Sequence, residues 1–389
     1  MKPKILFVVN HGAFFASHRL PIAAAAQARG FEVALITGAA GSGTMETLAG
    51  RRIEAAGIPH HRARFSASGL NPFKEMRGLI DILRLLRRSR PDIVHCVSPK
   101  GILLGGLAAI LSRQRGVVFA ISGMGFVMTR SSSRDLVRAA AARCYLWLLR
   151  WLFSAARTII VQNHDDRNLL LTRLNVRNDQ LVLIPGSGVD LSALDCTLES
   201  KKPIILFVGR MLRDKGVREF VEAARLLQGR VAGWRFIMAG AADYQNPTAV
   251  SEAELRVWET EGVVELTGHV DDGDALFREA SIVCLPSYRE GMPKVLLEAA
   301  AARCAVVTTD TVGCREAILP EESGLLVPLY DPAALADALH RLVCDRGLRE
   351  RFGARGRSLA TEKFGLSAVV AQHLAIYDAI TRNGRGDMR

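Results

Sequence analysis

Glu290-Gly-Met-Pro-Lys-Val-Leu-Leu-Glu298 lies between an apolar run, Ala280-Ser-Ile-Val-Cys-Leu-Pro286, and a helix-forming one, Leu296-Leu-Glu-Ala-Ala-Ala-Ala302. The first run reads as a buried parallel strand and the second as a helix, so the stretch is a strand-to-helix turn. Pro293 suits the first helical position, where its missing N–H costs nothing, and Gly291 lets the backbone bend tightly before it. A helix N-terminus offers unpaired N–H groups and about half a positive charge, a natural seat for a phosphate or sugar oxygen. Glu290 then lies at the mouth of the turn and Glu298 in the second helical turn, roughly 7.5 Å along the axis from the helix start at Pro293. Two carboxylates so placed can hold two sets of hydroxyls on one ligand. The plainer reading is that Glu290 favours the helix dipole and Glu298 faces solvent.

Outward from this turn, strand and helix patterns alternate along the whole chain, which predicts parallel sheets covered by helices on both faces. Strands are expected at 4–10, 31–37, 91–97, 117–122, 157–162 and 180–184, with helices at 17–29, 74–88, 103–111, 134–155 and 165–171. A loop, Pro185-Gly-Ser-Gly-Val-Asp190, and a polar linker, residues 196–203, separate this from a second series. That series runs from the strand Ile204 to Val208 through the turn at Glu290 to two closing helices. The expected division is residues 1–185 and 186–365, with the final helix, 366–389, returning to the first domain. Both domains are thus Rossmann-like, and open sheets of this kind bind ligands beyond the carboxyl ends of their strands, here across an interdomain cleft.

Composition narrows the function. The chain has 389 residues, of which 49% are hydrophobic, enough for two sizeable cores. Seven Cys in scattered positions form no disulfide or zinc framework, which predicts a reducing compartment. Residues 1–200 carry 26 Lys and Arg against 13 Asp and Glu, whereas the remainder carries 25 against 26. The basic first half suits nucleic acid, anionic lipid or a pyrophosphate-bearing substrate. An aromatic content of 6% and the lack of a recognisable binding module argue against nucleic acid.

Several other strand ends carry groups that could do chemistry. Gly209 and Arg210 follow the strand Ile204 to Val208, and Lys215 precedes the next helix. A departing diphosphate gathers negative charge as its bond to sugar breaks, so a fixed Arg and Lys stabilise that transition state more than the ground state. A solvated basic turn is the bland alternative. Near the N-terminus, Gly12 would let the backbone approach a phosphate, while His11, His18 and Arg19 offer donors; otherwise the segment is a loop with Ser17 as helix cap. Asp272-Gly-Asp274 has the D-x-D form of a metal chelator, but it precedes apolar helical positions, where Asp is a common cap, and no metal is expected. Gly38-Ala-Ala-Gly-Ser-Gly43 lacks the glycine spacing of a dinucleotide fingerprint.

These motifs together resemble retaining glycosyltransferase family 4. The turn resembles that family's E-x7-E element, with the flanking Pro-Ser-Tyr-Arg before Glu290, and Gly209-Arg-Met-Leu-Arg-Asp-Lys-Gly216 is similar to its donor-phosphate loop. Phe14-Phe-Ala-Ser-His-Arg-Leu-Pro21, Ser122-Gly-Met-Gly-Phe126, Gln162-Asn-His-Asp-Asp166 and the Pro185 to Asp190 loop resemble bacterial members acting on polyprenyl-diphosphate-linked saccharides. The resemblance implies a GT-B fold of two facing Rossmann-like domains, with the acceptor bound by the first and the donor by the second. It implies transfer of a hexosyl or N-acetylhexosaminyl group from a nucleotide sugar, of UDP type, with retention and without metal or cofactor. It places Gly12, Gly209, Arg210, Lys215, Glu290, Gly291, Met292 and Glu298 on the donor, with Arg210, Lys215 and Glu290 catalytic. Glu290 would contact the sugar and Glu298 the ribose hydroxyls. His18, Arg19, His95, Lys100 and Ser122 would face the acceptor. Where many members carry a histidine near the donor sugar, this chain has Ser122 and Gly123, so that role does not carry over; His95 or Lys100, at another strand end, is a candidate to occupy nearby space, although a lone histidine such as His95 is more often a hydrogen-bonded structural residue.

The segment Arg134 to Phe153 is interrupted by arginines too often to span a bilayer, yet Trp147, Trp151, Leu148 and Phe153 have the composition of a helix lying in the headgroup region. Alternatively these side chains pack into the core. Residues 74–90 add Arg77, Arg84, Arg87, Arg88 and Arg90, which suit an anionic membrane surface. The expected location is cytoplasmic, peripheral at the inner face of the cell membrane. A nucleotide-sugar epimerase of the same fold, or a non-catalytic two-domain binding protein, are the competing readings.

Overall fold

The computed structural model describes residues 2–39, 44–66, 71–124, 146–244, 246–270 and 272–386. The chain divides into two compact units, Met1–Ser187 with Val369–Arg389, and Gly188–Ala368. The expected helix over residues 134–155 is therefore described only at 146–154, and Gly125, Phe126 and residues 40–43 of the motifs above lie outside the described residues.

The first unit runs β1 (Lys4–Val9), α1 (Gly12–His18), α2 (Leu20–Ala28), β2 (Glu32–Ala39), α3 (Thr44–Ala55), β3 (His60–Ser66), α4 (Pro72–Ser89), β4 (Ile93–Val97), α5 (Gly106–Leu111), β5 (Val117–Ala120), β6 (Thr158–Val161), α6 (His164–Arg173) and β7 (Leu181–Leu183). Its strands form a parallel seven-stranded sheet in the order β3-β2-β1-β4-β5-β6-β7. Strand periodicity explains why β1 is apolar from Ile5 to Val9. Leu6 and Val8 enter one core with Leu79, Ile82 and Leu86 of α4, whereas Ile5, Phe7 and Val9 enter another with Phe15, Ile22 and Ala23.

The second unit runs β8 (Lys202–Val208), α7 (Val217–Leu227), β9 (Arg235–Ala239), α8 (Glu252–Glu261), β10 (Glu265–Gly268), α9 (Gly273–Glu279), β11 (Ala280–Leu285), α10 (Lys294–Ala301), β12 (Ala305–Thr309), β13 (Gly324–Val327), α11 (Pro332–Cys344) and α12 (Arg346–Leu359). Its six-stranded parallel sheet has the order β10-β9-β8-β11-β12-β13. In both sheets the order reverses once, between β1 and β4 and between β8 and β11. This is the doubly wound topology in which ligands gather at the reversal point.

The last helix, α13 (Leu366–Gly386), begins in the second unit and buries Val369 and Tyr377 in the core of the first. Tyr377 packs edge-on to Phe31 at 6.1 Å, and Arg29 pairs with Asp378 at 2.9 Å. The second unit thus ends with α11 and α12, and most of α13 belongs to the first.

Two other expectations change. The helix over residues 17–29 is two helices, broken at Arg19 (φ −130°, ψ −17°). Pro21 lies in the first turn of α2, where its ring and missing N–H prevent a helix from running through, and His11, not Ser17, caps α1 by accepting from Phe14 N at 3.2 Å. Strand β3 was not foreseen, because His60, His61, Arg62 and Arg64 give it the charged sequence of an edge strand.

Candidate active site

The reversal point of the second sheet is flanked by two loops, residues 209–216 after β8 and residues 286–293 after β11. Both lead into helices without a side-chain cap. In α10 the N-cap is Pro293 and the first turn has no acidic residue, and in α7 the N-cap is Gly216. By contrast α8, α9, α11 and α12 are capped by Ser251, Asp272, Asp331 and Asp345. The amide donors at the starts of α7 and α10 are left for other acceptors.

The two loops are stitched together. Tyr288 N donates to the Asp214 carbonyl at 2.9 Å, and Glu290 N to the Val312 carbonyl at 3.1 Å. Thr309 Oγ1 donates to the Ser287 carbonyl, and Thr311 Oγ1 to that of Tyr288 at 2.8 Å, fixing the second loop to the end of β12. Gly216 (φ +74°) is required, since a Cβ there would stand 2.0 Å from the Pro286 carbonyl oxygen. Gly240 (φ +140°), just past β9, is equally constrained, with a Cβ position 1.9 Å from the oxygen of Gly209.

This stitching brings Lys215 onto Glu290, whose Oε1 accepts from Lys215 Nζ and from Ser287 Oγ at 2.7 Å. The Ser287 hydroxyl is fully buried and also lies 3.1 Å from the Asp214 carbonyl. Lys215 and Glu290 keep 23% and 13% of their side-chain surface, so the pair is held yet reachable. Met292 is buried in the core beneath the turn. Glu298 accepts from Lys294 at 2.8 Å with 15% of its side chain exposed, and burial raises its pKa above the ordinary carboxylate value despite that cation. Arg210 pairs at 2.9 Å with Asp243, in the loop after β9, and is more than half exposed. Lys215 and Glu290 therefore touch, whereas Arg210 and Glu298 are each held by a different partner. Ser287, Thr309, Thr311 and Gly240 were missed from sequence. Only Ser287, three residues before Glu290, carried a local signal.

In the first unit the expected groups are placed differently. Both oxygens of Glu46 accept from the start of α1, from Gly12 N at 2.7 Å and Ala13 N at 3.0 Å, so a carboxylate of α3 sits where a donor phosphate was expected. His18 stacks on Phe14 at 4.3 Å. His95 and Arg19 are corrections: His95 has no exposed surface and Arg19 only 1%. His95 lies within β4 beneath α13, stacked on Phe7, with Nδ1 2.6 Å from the Tyr377 hydroxyl. Burial lowers the pKa of Arg19 to about 10 and that of His373, on α13, to about 3, and moves His95 well below its usual value. Lys100 is tied to Glu75 at 2.8 Å and to the Ser66 carbonyl at 2.6 Å, fastening α4 to the ends of β3 and β4. Ser122 is partly exposed, and the neighbouring Met124 N donates to Asp166 at 3.3 Å. Asp166 also accepts from Asn163 Nδ2, which gives the Gln162 to Asp166 motif a bracing role. Asp272 accepts from Ala275 N at 3.1 Å as a helix cap, and no group of three or more metal-ligating side chains occurs among the described residues.

Residues 16–186 match the family described as glycosyl transferase 4-like domain, and residues 202–345 that described as glycosyl transferases group 1. The chain is 26% identical to the N,N'-diacetylbacillosaminyl-diphospho-undecaprenol alpha-1,3-N-acetylgalactosaminyltransferase of Campylobacter jejuni, over 98% of this chain and 100% of that one. It is 26% identical to the UDP-Gal:alpha-D-GlcNAc-diphosphoundecaprenol alpha-1,3-galactosyltransferase of Escherichia coli, over 71% and 72% of the two chains. Among solved structures, Anabaena Alr3699/HepE in complex with UDP superposes with a TM-score of 0.75 at 16% identity, covering 97% of this chain and 100% of that one. Sucrose-phosphate synthase from Thermosynechococcus elongatus gives 0.76 at 20% identity, over 98% and 100%. The chain shares the fold of these two structures.

Proposed function

Because the chain belongs to the glycosyltransferase family formed by the 4-like and group 1 domains, we propose that it moves a sugar, of hexosyl or N-acetylhexosaminyl type, from a UDP-type nucleotide donor to a polyprenyl-diphosphate-linked saccharide. Transfer retains anomeric configuration and needs no metal or cofactor. The observation that carries this reading is the Lys215–Glu290 pair set beside the uncapped starts of α7 and α10. A diphosphate leaving group placed there meets amide donors, a helix-dipole charge and a lysine, all fixed before the reaction begins. Arg210 joins them by exchanging Asp243 for phosphate, a small cost because exposed ion pairs contribute only about 0–1 kcal/mol. Glu290 then holds the donor sugar and Glu298 the ribose hydroxyls. The departing diphosphate accepts the acceptor hydroxyl's proton, so stabilising that leaving group is the protein's main catalytic task.

The lipid-linked acceptor places the protein at the cytoplasmic face of a membrane. On α4, Phe73, Met76 and Ile80 are 80%, 59% and 37% exposed, and Arg77, Arg84, Arg87 and Arg88 continue the same stripe. In residues 146–154, Leu149, Leu152 and Phe153 pack inside, while Trp147 and Trp151 face out and are the side chains of this segment that a membrane surface would meet. No helix among the described residues is long and apolar enough to cross a bilayer.

The test is transfer by the purified protein from a panel of UDP-sugars to a short polyprenyl-diphosphate-linked N-acetylhexosamine, with product configuration read by NMR. The expected product has the donor's anomeric configuration and forms equally in EDTA. An inverted product refutes the mechanism, and donor turnover to an epimer without acceptor favours the epimerase.

A further inference from the structure

A cavity of about 320 Å³ opens on the second unit at the amino-terminal ends of its strands. Lys201 stands at the start of β8, Trp234 before β9 and Arg303 before β12, with Arg349 and Glu350 of α12 on one wall. This is the opposite end of the sheet from Arg210, Lys215 and Glu290, so the cavity is no part of the donor turn.

Its chemistry is lopsided. Arg303 donates Nε to the Cys196 carbonyl at 3.0 Å, and its two terminal nitrogens have no partner among the described residues. Arg349 lies over the Trp234 ring, 4.9 Å from its centroid, and gives Nη1 to the carbonyls of Leu342 and Val343. Neither guanidinium has a carboxylate within ion-pair distance among the described residues, and burial lowers the pKa of Arg349. Lys201 Nζ donates to the Phe277 carbonyl at 2.8 Å. Of the lining carboxylates, Glu350 is neutralised by Arg346 at 2.7 Å, and the exposed Glu199 is left against three cations. Half-buried guanidiniums lacking a counter-ion are costly to hold, and a planar guanidinium matches phosphate oxygens in pairs.

We propose that this cavity binds a phosphomonoester, its phosphate met by Arg303 and Arg349 and its organic part set against Trp234. The volume lies at the small end of ligand pockets, which suits a small ester and excludes a nucleotide sugar.

Isothermal titration of the full chain with glycerol 3-phosphate and with inorganic phosphate tests this. An Arg210→Ala/Lys215→Ala variant serves to remove phosphate binding at the donor loop. The ester is expected to bind that variant as it binds the wild type, and Arg303→Gln to weaken binding at least tenfold. Because Arg303 has a left-handed backbone (φ +57°) and its substitution risks the fold, Glu350→Gln gives an independent reading. It removes a negative charge from the wall and frees Arg346, so binding should tighten about threefold. Loss of all binding in the donor-loop variant, or unchanged affinity in both Arg303→Gln and Glu350→Gln, overturns the proposal. Equal affinity for inorganic phosphate and the ester overturns the assignment of Trp234 to an organic group.

Discussion

Replacing Lys215 by Ala separates what the Lys215–Glu290 pair does for the fold from what it does for the reaction. With 23% and 13% of their side chains exposed, the two lie between a surface pair, worth about 0–1 kcal/mol, and a buried one, whose breakage costs about 3–5 kcal/mol. Lys215→Ala leaves Glu290 with Ser287 Oγ as its remaining side-chain partner, so a loss of about 2 kcal/mol in the stability of the second unit is expected. Catalysis suffers separately. Removing one fixed cation from the departing diphosphate should lower kcat by about a hundredfold, or ~2.7 kcal/mol. Lys215→Ala/Glu290→Gln has no stranded charge and keeps a group for Ser287 to meet, so it should recover most of the stability and none of the activity. Urea unfolding followed by tryptophan fluorescence, where Trp234 and Trp258 report on this unit, and initial rates with saturating donor supply both numbers. Two results refute the reasoning: a double variant no more stable than Lys215→Ala, which means the pair is not coupled, and a wild-type kcat for Lys215→Ala, which removes the lysine from the mechanism.

Glu298→Gln should weaken binding of the free nucleoside diphosphate by about tenfold while Glu290→Gln spares it and slows transfer, as titration calorimetry and rates will tell; equal binding losses would erase the distinction. Gly240→Ala forces a Cβ into the Gly209 carbonyl at a backbone angle alanine avoids, so a loss of at least ~2 kcal/mol is expected from urea midpoints. His373 is held neutral by burial, with its pKa lowered to about 3 from 6.5, so the unfolded chain takes up its proton first. Its contribution is intact above pH 6.5 and is lost as pH falls toward 3, about 2 kcal/mol by pH 5. A His373→Phe variant should therefore show a correspondingly flatter stability profile between pH 7 and 5, and an unchanged slope counts against it. Vesicles rich in anionic lipid should pull down the protein at low salt, less at high salt, and several-fold less after charge reversal at Arg84, Arg87 and Arg88 or after Phe73→Ser; indifference to such vesicles at low ionic strength defeats the α4 docking surface.

What the sequence determined by itself was the material of two doubly wound units and one turn of the site. A strand buried on both faces is apolar along most of its length, so β1, β4, β8 and β11 could be read directly, and the turn from Leu285 to Lys294 follows from Gly291, Pro293 and the change of period around them. Lys215 and Glu290 were nameable because each stands beside a legible strand end. Their contact was not, since it depends on β8 and β11 being neighbours, and strand order is set by which apolar faces pack rather than by any local signal. The same holds in the first unit. Nothing near Gly12 announces that Glu46, thirty-four residues on, will take its amide, and nothing near His95 announces a tyrosine 282 residues away. Burial is likewise a property of the assembled layers. His95 and Arg19 look like surface donors until α13 is laid over them, because a side chain's exposure depends on what the rest of the chain places above it, and only the tertiary structure decides that.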